Sequence, residues 1–191
     1  MREKRFNLAS RLIHWAIAFV FLYILLTVLL RMGWMNRGTV AALAEESLAK
    51  DGATVTKDQV TNVGRAVRRP MWDTHIIAGY VLIGLYVIRM IINAVQGSGF
   101  DNPLKQGLSG YRKFKSWVYI IFYILLFGSL LTGILIEFGP HSIHEASEEI
   151  HKLSLYYMIA FIALHLAGVI IADGGKERGI ISKIISGDKP L

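Results

Sequence analysis

The chain has 191 residues, of which 53% are hydrophobic and only 18% are charged. A soluble domain of this length would carry more charge and would disperse its apolar residues in shorter runs. The net charge of +7 comes from basic residues that flank apolar runs, so membrane topology and anionic lipid explain it better than nucleic acid does. The absence of cysteine excludes disulfides, cysteine-ligated iron–sulfur clusters and covalently attached c-type haem.

Four apolar runs are long enough to cross a hydrocarbon core of about 30 Å. They predict one all-α integral membrane domain, a four-helix transmembrane bundle, with spans over residues 12–30, 72–95, 117–136 and 150–172. The basic start followed by an apolar run resembles a signal peptide. The cleavage-like Ala42-Leu43-Ala44 lies well beyond that run, however, so we expect the first span to be uncleaved.

Residues 31–71 form the longest segment between spans, and we expect them to lie outside the cytoplasm as short helices or as a long loop. Thr56 and Gln59 have the spacing of a capping box and are followed by valines at helical spacing. A second short helix is predicted over residues 39–50.

The other connections differ from this segment in composition. Residues 96–116 are rich in turn-forming glycine, and residues 137–149 are expected to be a short acidic loop. In residues 174–191, isoleucines recur at the spacing of one helix face, which predicts an amphipathic tail on the cytoplasmic surface.

Basic residues predict the orientation. The residues before the first span, the second connection and the tail each contain four Lys or Arg, whereas residues 137–149 contain none. Both termini are therefore expected to be cytoplasmic. The seven Lys or Arg between Arg31 and Arg69 oppose this orientation, but positive charge counts mostly in short loops.

Four of the six histidines lie near span ends, at two matched depths. His14 and His165 are expected near the cytoplasmic surface, and His75 and His151 near the opposite one. His151 and His165 are fourteen residues apart, so on one helix they would share a face with about 21 Å between them along the axis. Ionisable groups inside a bilayer are costly and mark function. Because imidazole suits iron, the two pairs predict a bundle enclosing two six-coordinate b-type haems, which favour electron transfer over oxygen binding.

Small residues on the ligand faces would leave room for a flat haem. Gly79 follows His75 by one turn and shares its face. The other candidates are Gly168, one turn after His165, and Gly128 and Gly133 on the third span. Close packing between transmembrane helices accounts for such glycines equally well.

Several arginines lie close to the histidines. Arg11 precedes His14 by one turn, and a second group of arginines precedes His75: Arg65, Arg68 and Arg69. Guanidinium groups pair well with carboxylates and phosphates, so haem propionates and lipid phosphates are both candidate partners.

Five further polar residues have two interpretations each. Arg89 and Asn93 would serve a quinone or an inner propionate, unless Arg89 snorkels to the headgroups. Lys152 would reach either the outer haem edge or the membrane interface. His141 and His144 are expected in a solvated loop, with a metal site or a proton-handling role as the alternative.

Three motifs carry a resemblance to a known family: Arg-Leu-Ile-His-Trp at 11–15, Trp-Asp-Thr-His-Ile-Ile-Ala-Gly at 72–79, and His151 with His165. With them the sequence resembles the bacterial di-haem cytochrome b561 family and, more loosely, the b-type subunits of membrane hydrogenases and formate dehydrogenases. The resemblance covers the four spans but not residues 31–71.

The resemblance implies a cytochrome of the bacterial inner membrane that holds one haem on His14 and His165 and the other on His75 and His151. Its expected role is electron transfer between the quinone pool and an extracytoplasmic redox protein or a larger respiratory complex. The alternative is an enzyme, a superoxide:quinone oxidoreductase acting at the outer haem. There the basic group of Arg65, Arg68, Arg69 and Lys152 would attract the anion.

Overall fold

The computed structural model describes residues 7–97, 100–175 and 178–187, and these residues form seven helices and no β-strand. The helices are α1 (Leu8–Met32), α2 (Arg37–Lys50), α3 (Lys57–Gln96), α4 (Gly110–Phe138), α5 (His141–Lys152), α6 (Ser154–Gly174) and α7 (Ile180–Ser186). Four stretches are long and apolar enough to cross a membrane, namely α1, α3, α4 and α5 together with α6. The all-α fold class of a four-helix membrane protein is confirmed. Some basic residues used in the charge count lie outside the described residues: Arg2, Lys4, Arg5, Lys176 and Lys189.

The chain divides into two units. The large unit comprises residues 1–17 and 83–191, and the small unit comprises residues 18–82. Both divisions fall inside helices, so α1 and α3 contribute to both units. The predicted ligands His14, His151 and His165 belong to the large unit, whereas His75 belongs to the small unit.

In the small unit, the predicted capping box is confirmed. The Gln59 amide donates to Thr56 Oγ1 at 3.3 Å, and the Thr56 amide donates to Gln59 Oε1 at 2.8 Å. The helix that starts here continues through Pro70 to Gln96. Its 40 residues span about 60 Å, roughly twice the thickness of a hydrocarbon core. The second apolar run, predicted to start at Trp72, is thus the later part of a much longer helix.

The prediction of an acidic loop over residues 137–149 is wrong, because α5 covers His141–Lys152. Lys152 Nζ lies 3.1 Å from Glu148 and 2.7 Å from Glu149, the carboxylates one turn earlier. Pairs at these spacings stabilise a helix despite its polar composition. The same pairs direct Lys152 along its own helix.

Helices α5 and α6 meet at Leu153, where the backbone remains right-handed (φ −63°, ψ −17°) but the turn is tighter. The Leu153 amide donates to Ile150 O at 3.1 Å, an i to i−3 bond, and the Ser154 hydroxyl donates to His151 O. His151 and His165 therefore lie on either side of a tight turn between two helices, and their shared face stays a prediction.

The predicted tail helix is observed as α7, and α1 holds its carboxyl end. Trp15 Nε1 donates to Ile184 O at 3.2 Å, and Arg11 Nη1 donates to Ile185 O at 3.4 Å. Because the last carbonyls of a helix have no partner within the helix, these two side chains supply partners that the tail itself lacks.

Gly64 is buried where α3 passes the first residue of α2. A Cβ atom at this position would lie 2.6 Å from Arg37 O, which is closer than such atoms approach. We expect Gly64→Ala to force the two helices apart at a cost of about 1–3 kcal/mol, and to lower the melting temperature by several degrees. Thermal denaturation of the purified protein measures this.

The control for that substitution is Gly84→Ala in the same helix, since a Cβ at Gly84 would have nothing within 4 Å. Alanine is the better helix former, so this variant should melt at or slightly above the wild-type temperature. If both variants had the same melting temperature, the close approach at Gly64 would not contribute to stability.

Candidate functional site

His14 of α1 and His165 of α6 approach each other in the large unit. Their ring centres are 6.0 Å apart, their planes are inclined by 46°, and both residues are half-buried. Two imidazoles bound to one metal ion place their ring centres roughly 6 Å apart, because the metal–nitrogen bond is about 2.0 Å and each ring adds about 1 Å. The spacing of these two rings thus fits the axial ligands of a single iron.

Side chains of α4 and α6 hold the His165 ring. Tyr119 Oη lies 3.2 Å from His165 Nδ1, and Phe161 stacks on the imidazole with 5.6 Å between ring centres. Phe100 in turn stacks on Tyr119 at 5.8 Å. The contact with Tyr119 engages Nδ1, so Nε2 is the nitrogen that remains to bind a metal.

Arg11 has one nitrogen without a partner. Its Nη1 contacts the tail, whereas its Nε is buried and has no hydrogen-bond partner among the described residues. A buried guanidinium N–H without an acceptor costs free energy. Arg11 lies one turn before His14, so a carboxylate held beside that histidine would satisfy it. The residue therefore fits the predicted role of propionate partner.

Arg89 contacts two hydroxyl groups of neighbouring helices, and its snorkelling to the headgroups stays an alternative. The half-buried guanidinium contacts Tyr123 Oη through Nε at 3.4 Å and Ser10 Oγ through Nη1 at 3.5 Å. Both contacts lie within the large unit. They are long, and hence weak, but they direct the charge towards protein groups.

His151 is held by α4. Its Nδ1 lies 3.0 Å from Ser129 O and 3.2 Å from Thr132 Oγ1. A carbonyl oxygen can only accept, so Nδ1 carries the proton and Nε2 carries the lone pair that a metal needs. A Cβ atom at Gly133 would lie 3.3 Å from His151 Cε1. Gly133 therefore makes room for the histidine ring, as the close-packing alternative predicts.

His75 has an equivalent arrangement in the small unit. Thr27 Oγ1 donates its hydrogen to Ile24 O at 2.6 Å, and the same oxygen lies 2.7 Å from His75 Nδ1. Since the threonine hydrogen is already used, His75 Nδ1 must be the donor, and its Nε2 carries the lone pair. Trp72 stacks parallel to this imidazole with 5.1 Å between ring centres.

The remaining predicted glycines lie beside open space. Added Cβ atoms at Gly79, Gly128 and Gly168 would have nothing within 4 Å. Such space is what a flat cofactor beside His75 and His165 would require, and for Gly79 the haem-facing role stays a prediction.

His141 and His144 lie on α5, not in a loop, and their ring centres are 6.4 Å apart. Within residues 7–97, 100–175 and 178–187, no group of three or more His, Cys, Asp or Glu residues is placed to hold a metal ion. The metal-site alternative for these two histidines therefore has no support.

The sequence matches the family model of prokaryotic cytochrome b561 over residues 5–187. The chain belongs to the prokaryotic cytochrome b561 family. The match runs through residues 31–71, which the motifs alone had left out. No curated protein matches the chain, and neither does any solved structure.

Family membership gives a coarse function. The chain is a multi-pass bacterial membrane protein, a b-type cytochrome that binds haem b and takes part in electron transfer. The geometry agrees with this, because His14 and His165 have the spacing of paired axial ligands.

Sequence reasoning missed the residues that orient the histidines. Thr27, Tyr119 and Thr132 contact the histidines through hydroxyl groups within apolar spans, whereas Ser129 contacts His151 through its backbone carbonyl. A signal existed for the three hydroxyl contacts, because hydroxyl side chains in transmembrane helices commonly bond across to a neighbouring helix. Their histidine partners could not be predicted, since the sequence does not give the register between two helices.

Replacing Thr27 tests the hydrogen bond to His75. Thr27→Val keeps the side-chain shape but leaves His75 Nδ1–H without its acceptor. Loss of such a supporting contact weakens metal binding by about 10- to 100-fold, so haem should pass correspondingly faster to apomyoglobin. The transfer rate of the purified cytochrome, followed by absorbance, measures this.

Thr39→Val is the matched control, because Thr39 is exposed at the start of α2 and has no histidine contact among the described residues. It should transfer haem at the wild-type rate. An unchanged rate in Thr27→Val would mean that the threonine does not support a haem ligand.

Proposed function

We propose that this chain is a di-haem cytochrome that carries electrons across the bacterial inner membrane, between the quinone pool and a redox protein outside the cytoplasm. The supporting observation is the approach of His14 and His165, with ring centres 6.0 Å apart. Haem b supplies a one-electron carrier when bound. Ligation by two imidazoles leaves no position for oxygen, so these residues favour electron transfer over oxygen chemistry.

We assign the second haem to His75 and His151. The assignment follows from the depth predicted for both residues, on the side opposite His14. It is supported by their common bonding pattern, in which Nδ1 is bonded to Thr27 Oγ1 at 2.7 Å in one case and to Ser129 O at 3.0 Å in the other. Each pattern fixes the tautomer and increases the basicity of Nε2.

Two other residues complete the proposed haem sites. Arg11, with its buried Nε, pairs with a propionate of the inner haem and neutralises that charge. Gly79 leaves open space on the helix face that carries His75, where a larger side chain would occupy the volume of the cofactor.

The orientation in this proposal has both termini in the cytoplasm, because basic residues are absent from residues 137–149 and frequent before the first span, in residues 96–116 and in the tail. Residues 31–71 then lie outside. Their seven Lys and Arg would attract an acidic redox partner to α2 and the first turns of α3.

The superoxide alternative rests on four cations, one of which is Lys152. That side chain pairs with Glu148 and Glu149 on its own helix. The local charge is thereby reduced, and electron transfer remains the function we propose.

Counting haems after single substitutions tests the proposal. A pyridine haemochrome assay with protein quantification should find about two b haems per wild-type chain, one for each pair of ligands. His14→Ala and His165→Ala should remove one spectral component, and His75→Ala and His151→Ala should remove the other.

The controls are His141→Ala and His144→Ala, which remove histidines assigned to no haem and should leave the haem content unchanged. One haem per wild-type chain, or loss of the same component from His14→Ala and His75→Ala, would contradict the proposal.

A stopped-flow experiment tests the electron path. The reduced cytochrome should be reoxidised rapidly by a short-chain quinone, since the proposal links the haems to the quinone pool. If the oxidised, quinone-loaded protein were instead reduced by superoxide at a comparable rate, the enzyme alternative would replace ours.

A further inference from the structure

Arginines from three helices meet at one face of α3, in the part of the helix that precedes its apolar run. Gly64, Arg68 and Trp72 follow one another at intervals of four residues, so they lie along one face of the helix. Arg68 is the middle residue, about 6 Å along the axis from each of the others. All three belong to the small unit, as do the residues that contact them.

The neighbours of this face are also arginines. Arg37, the first residue of α2, passes so close to Gly64 that its Cγ would lie 3.3 Å from an added Cβ. Arg31, in the last turn of α1, places its Cζ 4.8 Å from the centre of the Trp72 ring. Three guanidinium groups therefore gather around the level of Arg68, and both neighbours act on Arg68 electrostatically.

None of the three guanidinium groups has a carboxylate partner within residues 18–82, all of which the structure describes. Two of the acidic residues of this unit pair with other cations. Glu46 pairs with Lys50 at 2.7 Å, and Asp73 faces Arg69 at 4.0 Å. Like charges held together around a half-buried Arg68 are unfavourable unless an anion neutralises them.

The surroundings indicate which anion. Exposed apolar side chains flank Arg31 at the end of α1, where Trp34 is 84% exposed and Met32 is 63% exposed. Tryptophan beside arginine at the end of an apolar span is typical of the headgroup region of a bilayer. Phosphate is the anion of that region, and guanidinium binds it through paired hydrogen bonds.

We propose that Arg31, Arg37 and Arg68 form a binding site for the phosphate of an anionic phospholipid, in the leaflet at this end of α1 and α3. The phosphate neutralises the three guanidinium groups, while the acyl chains lie along the exposed apolar side chains below. This proposal does not rest on the haem-binding function proposed above, although Trp72 contacts both Arg31 and His75.

Lipid titration of the full, haem-loaded chain in a nonionic detergent tests the site. The probes are dioctanoyl phosphatidylglycerol, dioctanoyl phosphatidylcholine and inorganic phosphate, with binding measured by native mass spectrometry and calorimetry. We expect one saturable phosphatidylglycerol per chain. We also expect weaker binding of phosphatidylcholine, which has no net charge, and of inorganic phosphate, which has no acyl chains.

Arg68→Gln should weaken phosphatidylglycerol binding by about tenfold or more, since it removes charge-assisted hydrogen bonds. Arg69→Gln is the matched control, because it removes the same charge one residue away from a side chain that is 82% exposed. It should bind within about twofold of wild type, as expected for a solvent-screened charge. Arg37→Gln is a second test variant. Because Arg37 is exposed, its substitution should leave the fold intact, so misfolding would not explain a loss of binding.

Three results would overturn the proposal. Equal weakening in Arg68→Gln and Arg69→Gln would indicate diffuse surface charge. Inorganic phosphate that bound as tightly as phosphatidylglycerol would indicate a site for free anions. Loss of haem from Arg68→Gln with unchanged lipid affinity would assign the arginine to a propionate.

Discussion

A histidine inside a bilayer must satisfy two ring nitrogens where water is scarce, and much of the described structure follows from this requirement. Thr27, Ser129 and Tyr119 each place an oxygen at the Nδ1 of one predicted ligand, at distances from 2.7 to 3.2 Å. One oxygen contact orients the ring, and for the rings bonded to Thr27 and Ser129 it also determines the tautomer. The opposite nitrogen, Nε2, is then the one that can bind a metal.

This requirement explains why α4, which carries no histidine, is still essential to the large unit. Tyr119, Ser129 and Thr132 of α4 contact His165 and His151, and Gly133 leaves space for one of these rings. Phe122 of the same helix stacks on Phe161 of α6 with 3.5 Å between ring centres. A helix without a ligand thus orients the ligands of its neighbours.

The four membrane-spanning stretches could be predicted from sequence, because apolar length is a property of single helices, whereas the depth of the histidines stays a prediction. The capping box at Thr56 is equally local, and it is observed. Helix α5 was missed because its polar residues resemble those of an acidic loop. Its stabilising pairs involve Lys152, which was assigned to the membrane interface or the haem edge.

The roles of Gly133 and Arg89 could not be predicted for a different reason. Both depend on which residue of another helix lies opposite, which is a tertiary property. The same applies to the hydroxyl partners of the histidines, whose residue types were visible but whose pairings were not. Sequence therefore identified the candidate ligands, and the structure was needed to find what holds them.

The contacts between α1 and the tail have a consequence for biogenesis. Trp15 and Arg11 bond to carbonyls that lie 169 and 174 residues later in the chain. During synthesis, α1 can enter the membrane long before those acceptors exist. The contacts between the start of α1 and the tail can therefore form only after all four spans have been made.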